Sequence, residues 1–500
     1  MISPILEQAR AYEAEHRSAC DAFRPAFHFT PAVGWCNDPN GFSVYDGSYH
    51  LFYQYYPYAT VWGSMHWGHV KTEDFIRWTY LPAAMAPDTE QDQLGCFSGS
   101  AIEMDDGRQL LIYTGCYSGE LTPVTGNYYQ HQCIAVGDGI DYEKRPENPV
   151  IGADQIPSGH NGMDFRDPKI WKEDGYYYLV VSSQKKDTMG ALLIYRSPDA
   201  YRWDFVSTLW ENDGRYGTML ECPDFFSLDG HHILLSAPME MKAMGAEFHP
   251  GHGNMAMIGR LDRTCYHFTE ENVQAIDYGT DFYAPTTLQT PDGRRIMIAW
   301  LHNWAYKEYK MTDGPFFGQM ILPRELFLRE GRLCQLPVRE IEKYYGRSWH
   351  REAMPDREHP VTAADMQADC RAYDMTLTCY ISQAISDQPA KKSGFDLLLG
   401  SREGDHLLLS YDAQSEVLIV DRSAAGLRLD IVSQRSIPAA IRDGQLKLRL
   451  LVDRYSVECF LQDGRQAATF QVSSLDPGFS IEARYEIKVD IDIHEIKSLM

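Results

Sequence analysis

The dipeptide Asp-Gly recurs along this chain at nearly even intervals, and in five places an apolar, strand-forming run follows it. The five copies begin at Asp46, Asp106, Asp174, Asp229 and Asp292, which lie 60, 68, 55 and 63 residues apart. Asp-Gly before such a run is typical of a tight β-hairpin turn. A hairpin that returns with a nearly constant period predicts a repeat architecture.

Further short strand patterns lie between the hairpins, for example around Val70 and Ile194, so each repeat contains about four strands. Four-stranded sheets arranged around one axis are the blades of a β-propeller. We therefore predict a five-bladed β-propeller over residues 25–335. Residues 1–24 are expected to form a helical lead-in to it.

The pattern changes after the propeller. Residues 336–349 include a short charged stretch that predicts a linker helix. From residue 350 to residue 500, shorter strands alternate apolar and polar residues and are separated by turn residues, as in Phe395–Leu399 and Gln445–Leu451. This arrangement is typical of a β-sandwich. The predicted fold is all-β, with a five-bladed propeller followed by a C-terminal sandwich.

Three acidic residues occupy similar positions in their repeats. Asp38 stands eight residues before its hairpin, Asp167 seven and Glu221 eight, while Ser98 and Ala284 hold the corresponding places in the other two repeats. A proline follows closely in four of the five, as suits an edge strand, where a missing backbone donor is tolerated. Because the first strands of all blades surround one axis, we expect the three carboxylates to meet at one mouth of the channel.

Two carboxylates that flank a glycosidic bond are the usual requirement for hydrolysing it. The amides of Asn37 and Asn40 are expected to hydrogen-bond the ionised form of Asp38, which makes Asp38 the candidate nucleophile. Glu221 lies in a largely apolar run, where burial would keep it protonated, so it is the candidate acid/base.

Asp167 is the third candidate. The positive charge of Arg166 is expected to keep it ionised, so that it accepts hydrogen bonds from sugar hydroxyls. Retention of configuration requires the nucleophile and the acid/base to lie about 5–5.5 Å apart, a separation that opposed strands around a narrow channel can supply.

Several motifs resemble those of the glycoside hydrolase family 32 β-fructosidases, in the order in which that family has them. They are Trp35–Gly41, Phe52–Tyr55, Trp62-Gly63, Met65–His69, Phe97–Ser100, Phe165–Lys169, Glu221–Asp224, Asp281–Ala284 and Leu322–Glu325. The resemblance covers residues from about 25 to 340, and the family would place a sandwich after them.

The resemblance implies the same roles: Asp38 as nucleophile, Glu221 as acid/base and Asp167 as transition-state stabiliser. It implies that the residues which hold or line the pocket of the terminal fructosyl unit are Asn37, Gln54, Trp62, Phe97, Ser98, Arg166, Cys222, Tyr283 and Trp300. Two positions depart from the family pattern. Cys36 stands where Met is usual and Tyr56 where Asn is common, and both are expected to reshape the pocket wall.

The composition excludes several partners. A net charge of -24 argues against nucleic acid and anionic membranes, which attract basic surfaces. Eleven cysteines without a Cys-x-x-Cys pair indicate neither a disulfide framework nor a zinc ribbon. No secretory signal or membrane-spanning stretch is evident, so we expect a cytoplasmic protein. The sequence leaves open whether the chain forms a homo-oligomer.

No cofactor and no metal are predicted. The two histidine pairs with a spacing of three, His66 with His69 and His249 with His252, lie in strand-like or loop-like sequence. A strand does not present such a pair on one side, as a helix would. These histidines are therefore interpreted as structural.

The sequence thus predicts a retaining exo-β-fructosidase that releases terminal non-reducing β-D-fructofuranosyl units. A fructosyltransferase, an inverting arabinan-type propeller hydrolase and a non-catalytic sugar-binding propeller are the alternatives. The substrate is left open among sucrose, sucrose 6-phosphate and short fructo-oligosaccharides. A phosphorylated substrate would require a cation at the pocket, for which Lys185, Lys186 and Lys307 are candidates.

Overall fold

A helix precedes the sheets. In the computed structural model, α1 spans Pro4–His16 and a 3₁₀ helix continues it over Arg17–Phe23. Ser3 caps α1, because its hydroxyl accepts a hydrogen bond from the backbone N–H of Leu6 at 3.2 Å. Among the described helices, none combines the length and the apolar character needed to cross a bilayer. The structure describes residues 2–118, 128–186, 189–369, 371–381, 393–426, 431–485 and 487–499.

Five sheets of antiparallel strands follow, and in the first four the core of the sheet is four consecutive strands. The first contains β1 (Gly34–Tyr45), β2 (Ser48–Tyr56), β3 (His66–Thr72) and β4 (Thr79–Met85). The second contains β5 (Gly95–Glu103), β6 (Gln109–Tyr117), β7 (Tyr129–Gly137) and β8 (Tyr142–Lys144). The third contains β9 (His160–Glu173), β10 (Tyr176–Lys185), β11 (Gly190–Ser197) and β12 (Asp204–Glu211). The fourth contains β13 (Leu220–Leu228), β14 (His231–Pro238), β15 (Met255–Asp262) and β16 (His267–Gln274).

The fifth sheet closes the ring. It begins with β17 (Tyr283–Gln289) and β18 (Arg295–Trp300), and the chain then leaves it to form β19 (Phe316–Phe317), which pairs in parallel with the start of β1. The sheet is completed by β20 (Arg324–Arg329) and β21 (Arg332–Pro337). The first strands of neighbouring sheets contact one another, and β17 contacts β1, so five first strands surround one axis. These sheets are the blades of a propeller.

The five Asp-Gly turns all join the first strand of a blade to the second. At Asp46 the φ angle is 45° and at Gly47 it is 71°, and the turns at residues 174–175 and 229–230 also have positive φ at both positions. Two successive positive φ angles define the type I′ turn, whose twist matches that of the flanking strands. In the other two turns only Gly107 and Gly293 have positive φ.

The C-terminal domain consists of two six-stranded sheets. A 3₁₀ helix at Arg339–Tyr344 leads into it, and the short helix α2 (Ala363–Met366) follows β23. The strands are β22 (Tyr345–Ala353), β23 (Val361–Thr362), β24 (Tyr373–Tyr380), β25 (Gly394–Gly400), β26 (His406–Asp412), β27 (Val417–Asp421), β28 (Gln434–Pro438), β29 (Gln445–Asp453), β30 (Ser456–Leu461), β31 (Gln466–Gln471), β32 (Phe479–Arg484) and β33 (Lys488–Ile496).

One sheet of this domain has the strand order β22-β33-β24-β29-β30-β31, and the other has the order β23-β32-β25-β26-β27-β28. Alternate residues of β26 are buried, as expected where two sheets pack face to face. The prediction of an all-β fold with a propeller followed by a sandwich is confirmed. The last propeller strand ends at Pro337, and the first sandwich strand begins at Tyr345, inside the predicted linker of residues 336–349.

A fully buried group of charged side chains joins the two domains. His28, just before the first blade, contacts Asp453 at 2.9 Å and Glu458 at 2.7 Å, both in the sandwich. Arg324 of β20 contacts Glu458 and also Asp277, the latter at 2.9 Å. Burial lowers the pKa of His28, but the hydrogen bonds and charges of the two sandwich carboxylates raise it by a larger amount. The resulting pKa is about 9. The imidazolium is therefore the form that the fold stabilises.

Candidate active site

A β-bulge interrupts the first strand of every blade at a similar level of the ring. The pairing with the second strand shifts between Cys36 and Pro39, between Phe97 and Gly99, between Arg166 and Lys169, between Glu221 and Asp224, and between Tyr283 and Thr286. A bulge bends a strand and redirects the side chains of the extra residues. It therefore explains why functional side chains from five strands can turn toward one end of the channel.

The bulges refine the repeat position predicted for the three acids. Asp38 and Asp167 lie inside their bulges, whereas Glu221 is the last paired residue before its own. The difference arises because β1 contains a second bulge, between Asn40 and Ser43, which adds a residue between Asp38 and its hairpin. In β1, one of the eight residues from Asp38 to the turn has no partner on the second strand. The eight residues from Glu221 to the turn of β13 therefore span one more cross-strand pair.

Asp38 lies at the buried floor of the site, where two short hydrogen bonds and a longer one from the Cys222 thiol reach its carboxylate. Asn37 donates to its Oδ1 at 3.0 Å, and the Ser98 hydroxyl donates to its Oδ2 at 2.7 Å. The predicted bond from Asn40 is not formed, because that amide lies against the adjacent blade. Burial and the charge of Glu221 raise the pKa of Asp38, while these hydrogen bonds lower it. The donors thus offset part of the cost of a buried carboxylate.

Asp167 faces the same floor from the third blade. The backbone N–H of Cys222 donates to its Oδ2 at 2.9 Å. Burial raises the pKa of Asp167 to about 7; Arg166 lowers it, and the charges of Glu221 and Asp38 raise it. The effect of Arg166 on Asp167 is smaller than that of burial, and the Arg166 Nε lies 4.0 Å from Asp167 but 3.1 Å from Glu221.

Glu221 lies in a polar setting rather than the apolar one predicted for it. Its Oε1 accepts from the Arg166 guanidinium at 3.0–3.1 Å, and its Oε2 accepts from the Tyr283 hydroxyl at 2.5 Å. Its sequence neighbours are largely apolar, but the groups that reach the carboxylate in the folded chain are an arginine and a tyrosine hydroxyl. Asp164 binds the opposite edge of the guanidinium at 2.8 Å, and this second contact fixes the orientation of Arg166.

One cavity of about 450 Å³ contains most of the predicted residues. The predicted residues that line it are Asn37, Asp38, Gln54, Trp62, Phe97, Ser98, Arg166, Asp167 and Glu221. The floor residues Asn37, Gln54 and Ser98 are buried, whereas Trp62 is 40% exposed at the rim. The cavity therefore has a buried polar floor and an exposed aromatic side chain at its rim.

Three predicted binding residues are not among those that line the cavity. Cys222 places its Sγ 3.7 Å from the Asp38 Oδ2 and 3.8 Å from the Asp167 Oδ2. Tyr283 is fully buried and reaches the site only through its hydroxyl on Glu221. Trp300 is also fully buried, so it supports neighbouring aromatic rings rather than contacting the cavity.

Other lining residues were missed by the sequence analysis. They are Tyr128, Gln130, Met163, Asp164, Met239 and Trp304, whereas Lys307, which also lines the cavity, is one of the three lysines named from the sequence. Asp164 had a usable signal, because it lies two residues before Arg166 on one strand and so on the same face. Tyr128, Met239 and Trp304 lie outside the strands, where alternation of apolar and polar residues gives no information about direction.

The pocket acids are not arranged like metal ligands. Within the described ranges of the chain, the one set of three acidic, histidine or cysteine side chains whose ligand atoms lie within 4.8 Å of one another is His350, Asp490 and Asp492, on the sandwich. His66 and His69 are buried in β3, and His69 Nε2 lies 2.9 Å from His50 Nδ1. Carboxylates that are spread around a cavity suit contact with a sugar better than chelation of an ion.

Comparison with known proteins agrees with this geometry. The profile of the Glycosyl hydrolases family 32 N-terminal domain matches residues 28–337, and that of the Glycosyl hydrolases family 32 C terminal matches residues 340–490. A sucrose-6-phosphate hydrolase of Zymomonas mobilis is 34% identical over 478 residues, covering 92% of this chain and 88% of that protein. A raffinose invertase of Escherichia coli is 33% identical, covering 90% of this chain and 89% of its own.

Solved structures give the same result. A beta-fructofuranosidase of Bombyx mori, determined as a mutant in complex with sucrose, superimposes with a TM-score of 0.84 and 30% identity, covering 100% of this chain and 99% of that one. The family profiles together span both domains, in the order in which the chain has them. The predicted resemblance is thereby confirmed: this chain belongs to glycosyl hydrolases family 32 and is a glycoside hydrolase of the β-fructosidase type.

Proposed function

We propose that this chain hydrolyses terminal non-reducing β-D-fructofuranosides with retention, using Asp38 as nucleophile and Glu221 as acid/base. Asp38 would attack the anomeric carbon while Glu221 gives its proton to the departing glycosidic oxygen. Glu221 would then take a proton from water, and that water would break the Asp38 ester and release fructose. The observation that carries the proposal is that both carboxylates line one cavity with a polar, buried floor.

The neighbours of each carboxylate support these roles. Two donors, Asn37 and Ser98, hold Asp38, which leaves its remaining lone pairs for attack. Arg166 and Tyr283 orient Glu221 without competing for the same oxygen. Asp167 would accept hydrogen bonds from the hydroxyls of the terminal fructosyl unit, which strengthen as positive charge develops on the ring.

Sucrose and sucrose 6-phosphate are the substrates we propose. Relatives from Zymomonas mobilis and Escherichia coli that cover 92% and 93% of this chain are named sucrose-6-phosphate hydrolase, and the Bombyx mori protein was solved with sucrose. Lys307 lies exposed at the rim, where the second sugar of either substrate would leave the floor. Lys185 of β10 instead contacts Glu211 at 3.4 Å and does not line the cavity, and Lys186 is not among the lining residues either.

The remaining parts of the proposal concern where and with what the protein acts. The partner is a small sugar, and a net charge of -24 argues against nucleic acid. We propose a cytoplasmic location, which is supported by the ten described cysteines, none of which forms a disulfide.

The test combines two variants with a set of substrates. We expect Asp38→Asn and Glu221→Gln each to lower kcat by at least about 10³-fold with a Tm no lower than that of the wild type, because each removes one chemical step and keeps the side-chain shape. Asp105→Asn is the matched control, since Asp105 is 81% exposed on the surface, and it should retain full activity. Near-normal turnover by Asp38→Asn would refute the assignment.

The substrates are sucrose, sucrose 6-phosphate, 1-kestose, inulin and levan. The anomer of fructose that is first released distinguishes retention from inversion, and kestoses in the sucrose time course would indicate a transferase. Binding of sucrose without any turnover would favour a sugar-binding propeller. If Lys307 recognises phosphate, Lys307→Met should raise KM for sucrose 6-phosphate and leave KM for sucrose nearly unchanged.

A further inference from the structure

The rim of the cavity carries a short 3₁₀ helix, Trp304–Tyr306, followed by Lys307. We call residues 304–307 the rim segment. Trp304 is half-buried and Lys307 is exposed, and both line the cavity. Asn303 caps the 3₁₀ helix by accepting a hydrogen bond from the backbone N–H of Ala305 at 3.0 Å. The rim segment thus presents an aromatic ring and a cation to any part of a bound molecule that extends outward from the floor of the cavity.

Tyr306 turns away from the cavity and anchors the rim segment in the protein interior. Its hydroxyl group lies 2.6 Å from the carbonyl oxygen of Thr280 and also contacts the carboxylate of Asp281. Asp281 is fully buried and stands two residues before Tyr283, whose hydroxyl binds Glu221. Asp281 therefore lies between the anchor of the rim segment and the support of the proposed acid/base.

The charge of Asp281 is neutralised by the other domain. Arg422, which follows β27 of the sandwich, places its Nη1 2.5 Å from the Asp281 Oδ2. The backbone N–H of Gln471 in β31 donates to the same carboxylate at 2.8 Å. The Arg422 guanidinium also lies 5.0 Å from the centre of the Tyr306 ring, within the range of a cation–π contact. One sandwich side chain thus contacts both Asp281 and Tyr306.

We propose that Arg422 is a positioning residue by which the sandwich fixes the aglycone-facing wall of the active site, through Asp281 and Tyr306. The inference rests on the proposed function, because it assumes that the terminal fructosyl unit occupies the floor. The rim segment then contacts the departing sugar. Loss of Arg422 leaves the buried Asp281 without its counter-ion, and the Tyr306 anchor loosens with it.

The experiment compares two substrates that share the fructosyl unit. Sucrose carries a glucosyl aglycone that reaches the rim, whereas methyl β-D-fructofuranoside carries only a methyl group. For Arg422→Met and for Tyr306→Phe we expect kcat/KM on sucrose to fall about tenfold, mainly through KM, while kcat/KM on the methyl fructoside stays within about twofold. The inhibition constant of free fructose, which occupies the floor, should not change.

Two controls separate positioning from stability. Arg484→Met removes an ion pair with Asp396 that lies wholly inside the sandwich, so it should lower Tm without changing the ratio of the two kcat/KM values. Arg422→Lys keeps a positive charge at the site and should restore part of the lost sucrose activity. Tyr306→Phe removes only a hydroxyl group, so it keeps the test valid if Arg422→Met does not fold.

The outcomes also separate this inference from the proposed function. If the wild-type protein hydrolyses neither fructoside, the proposed function itself fails. If the wild type hydrolyses both, and Arg422→Met and Tyr306→Phe lower both activities in equal proportion or leave both unchanged, the positioning role of Arg422 is refuted.

Discussion

At the scale of single residues, the active site contains buried carboxyl groups whose ionisation is unfavourable in the folded protein. Asp167 is buried beside two other carboxyls, and its pKa is raised to about 7. The folded state therefore holds this proton more tightly than the unfolded chain, in which the pKa of an Asp is about 3.9. The resulting stability is complete below the unfolded pKa and is lost as pH rises through the folded one.

Replacing Asp167 by Asn should therefore stabilise the protein at high pH while removing activity. We expect Asp167→Asn to raise Tm by about 1–3 °C at pH 8, where the wild-type side chain is charged, and to raise it less at pH 5, where the folded wild-type protein still holds the proton. Thermal unfolding at both pH values measures the difference. The exposed Asp105→Asn variant should show no such pH dependence. A lower Tm for Asp167→Asn at pH 8 would contradict the account.

At the scale of strands, the bulges determine where side chains point. Gly99 follows Ser98 immediately beyond the bulge of β5, where the first strand packs closely on the second. A Cβ at Gly99 would lie 2.1 Å from the backbone oxygen of Ile112 and 2.7 Å from the Cα of Tyr113. Both are backbone atoms of β6, which cannot move aside as a flexible side chain would.

Substituting Gly99 by Ala should therefore disturb the blade and the site together. We expect Gly99→Ala to lower the free energy of unfolding by about 2–3 kcal/mol and to reduce kcat, since Ser98 would shift away from Asp38. Denaturant unfolding and sucrose kinetics measure the two effects. Gly162→Ala in β9 is the matched control, because a Cβ there meets no atom nearer than 3.6 Å. If Gly99→Ala and Gly162→Ala changed the free energy of unfolding and kcat equally, the bulge of β5 would not be what positions Ser98.

At the scale of the whole molecule, buried charges hold the propeller and the sandwich together. His28 lies between Asp453 and Glu458 with its side chain fully buried, and its pKa is raised to about 9. Because the unfolded pKa is near 6.5, this contribution to stability is complete below that pH. It is lost as pH rises through about 9.

Removing the imidazolium should cost stability in a pH-dependent way. We expect His28→Gln to lower the free energy of unfolding by about 3–5 kcal/mol at pH 6.5, because two carboxylates lose their buried partner. The difference from wild type should narrow by pH 9.5, where wild-type His28 has itself lost its proton. Tm measured at pH 6.5, 8 and 9.5 tests this. His359→Gln, at an 81% exposed site, should show no such trend.

Much of the fold and part of the site followed from local sequence patterns. Asp-Gly turns and alternating strands act over a few residues, so the blades, the sandwich and the candidate acids could be read directly. The residues that form the wall of the cavity were harder to predict. Trp300 resembles a lining residue in sequence but is fully buried, and Trp304, four residues later, is the one that faces the cavity.

Local sequence therefore determined the repeat, its hairpins and the strands that carry Asp38, Asp167 and Glu221. The partners of those residues were decided by tertiary contacts. Arg166 turns to Glu221 rather than to its sequence neighbour Asp167, because Glu221 lies on the next blade at 3.0 Å. Arg422 reaches Asp281 from a separate domain. Such contacts join residues 55 and 141 positions apart, and no short-range pattern encodes which of two nearby charges a guanidinium will meet.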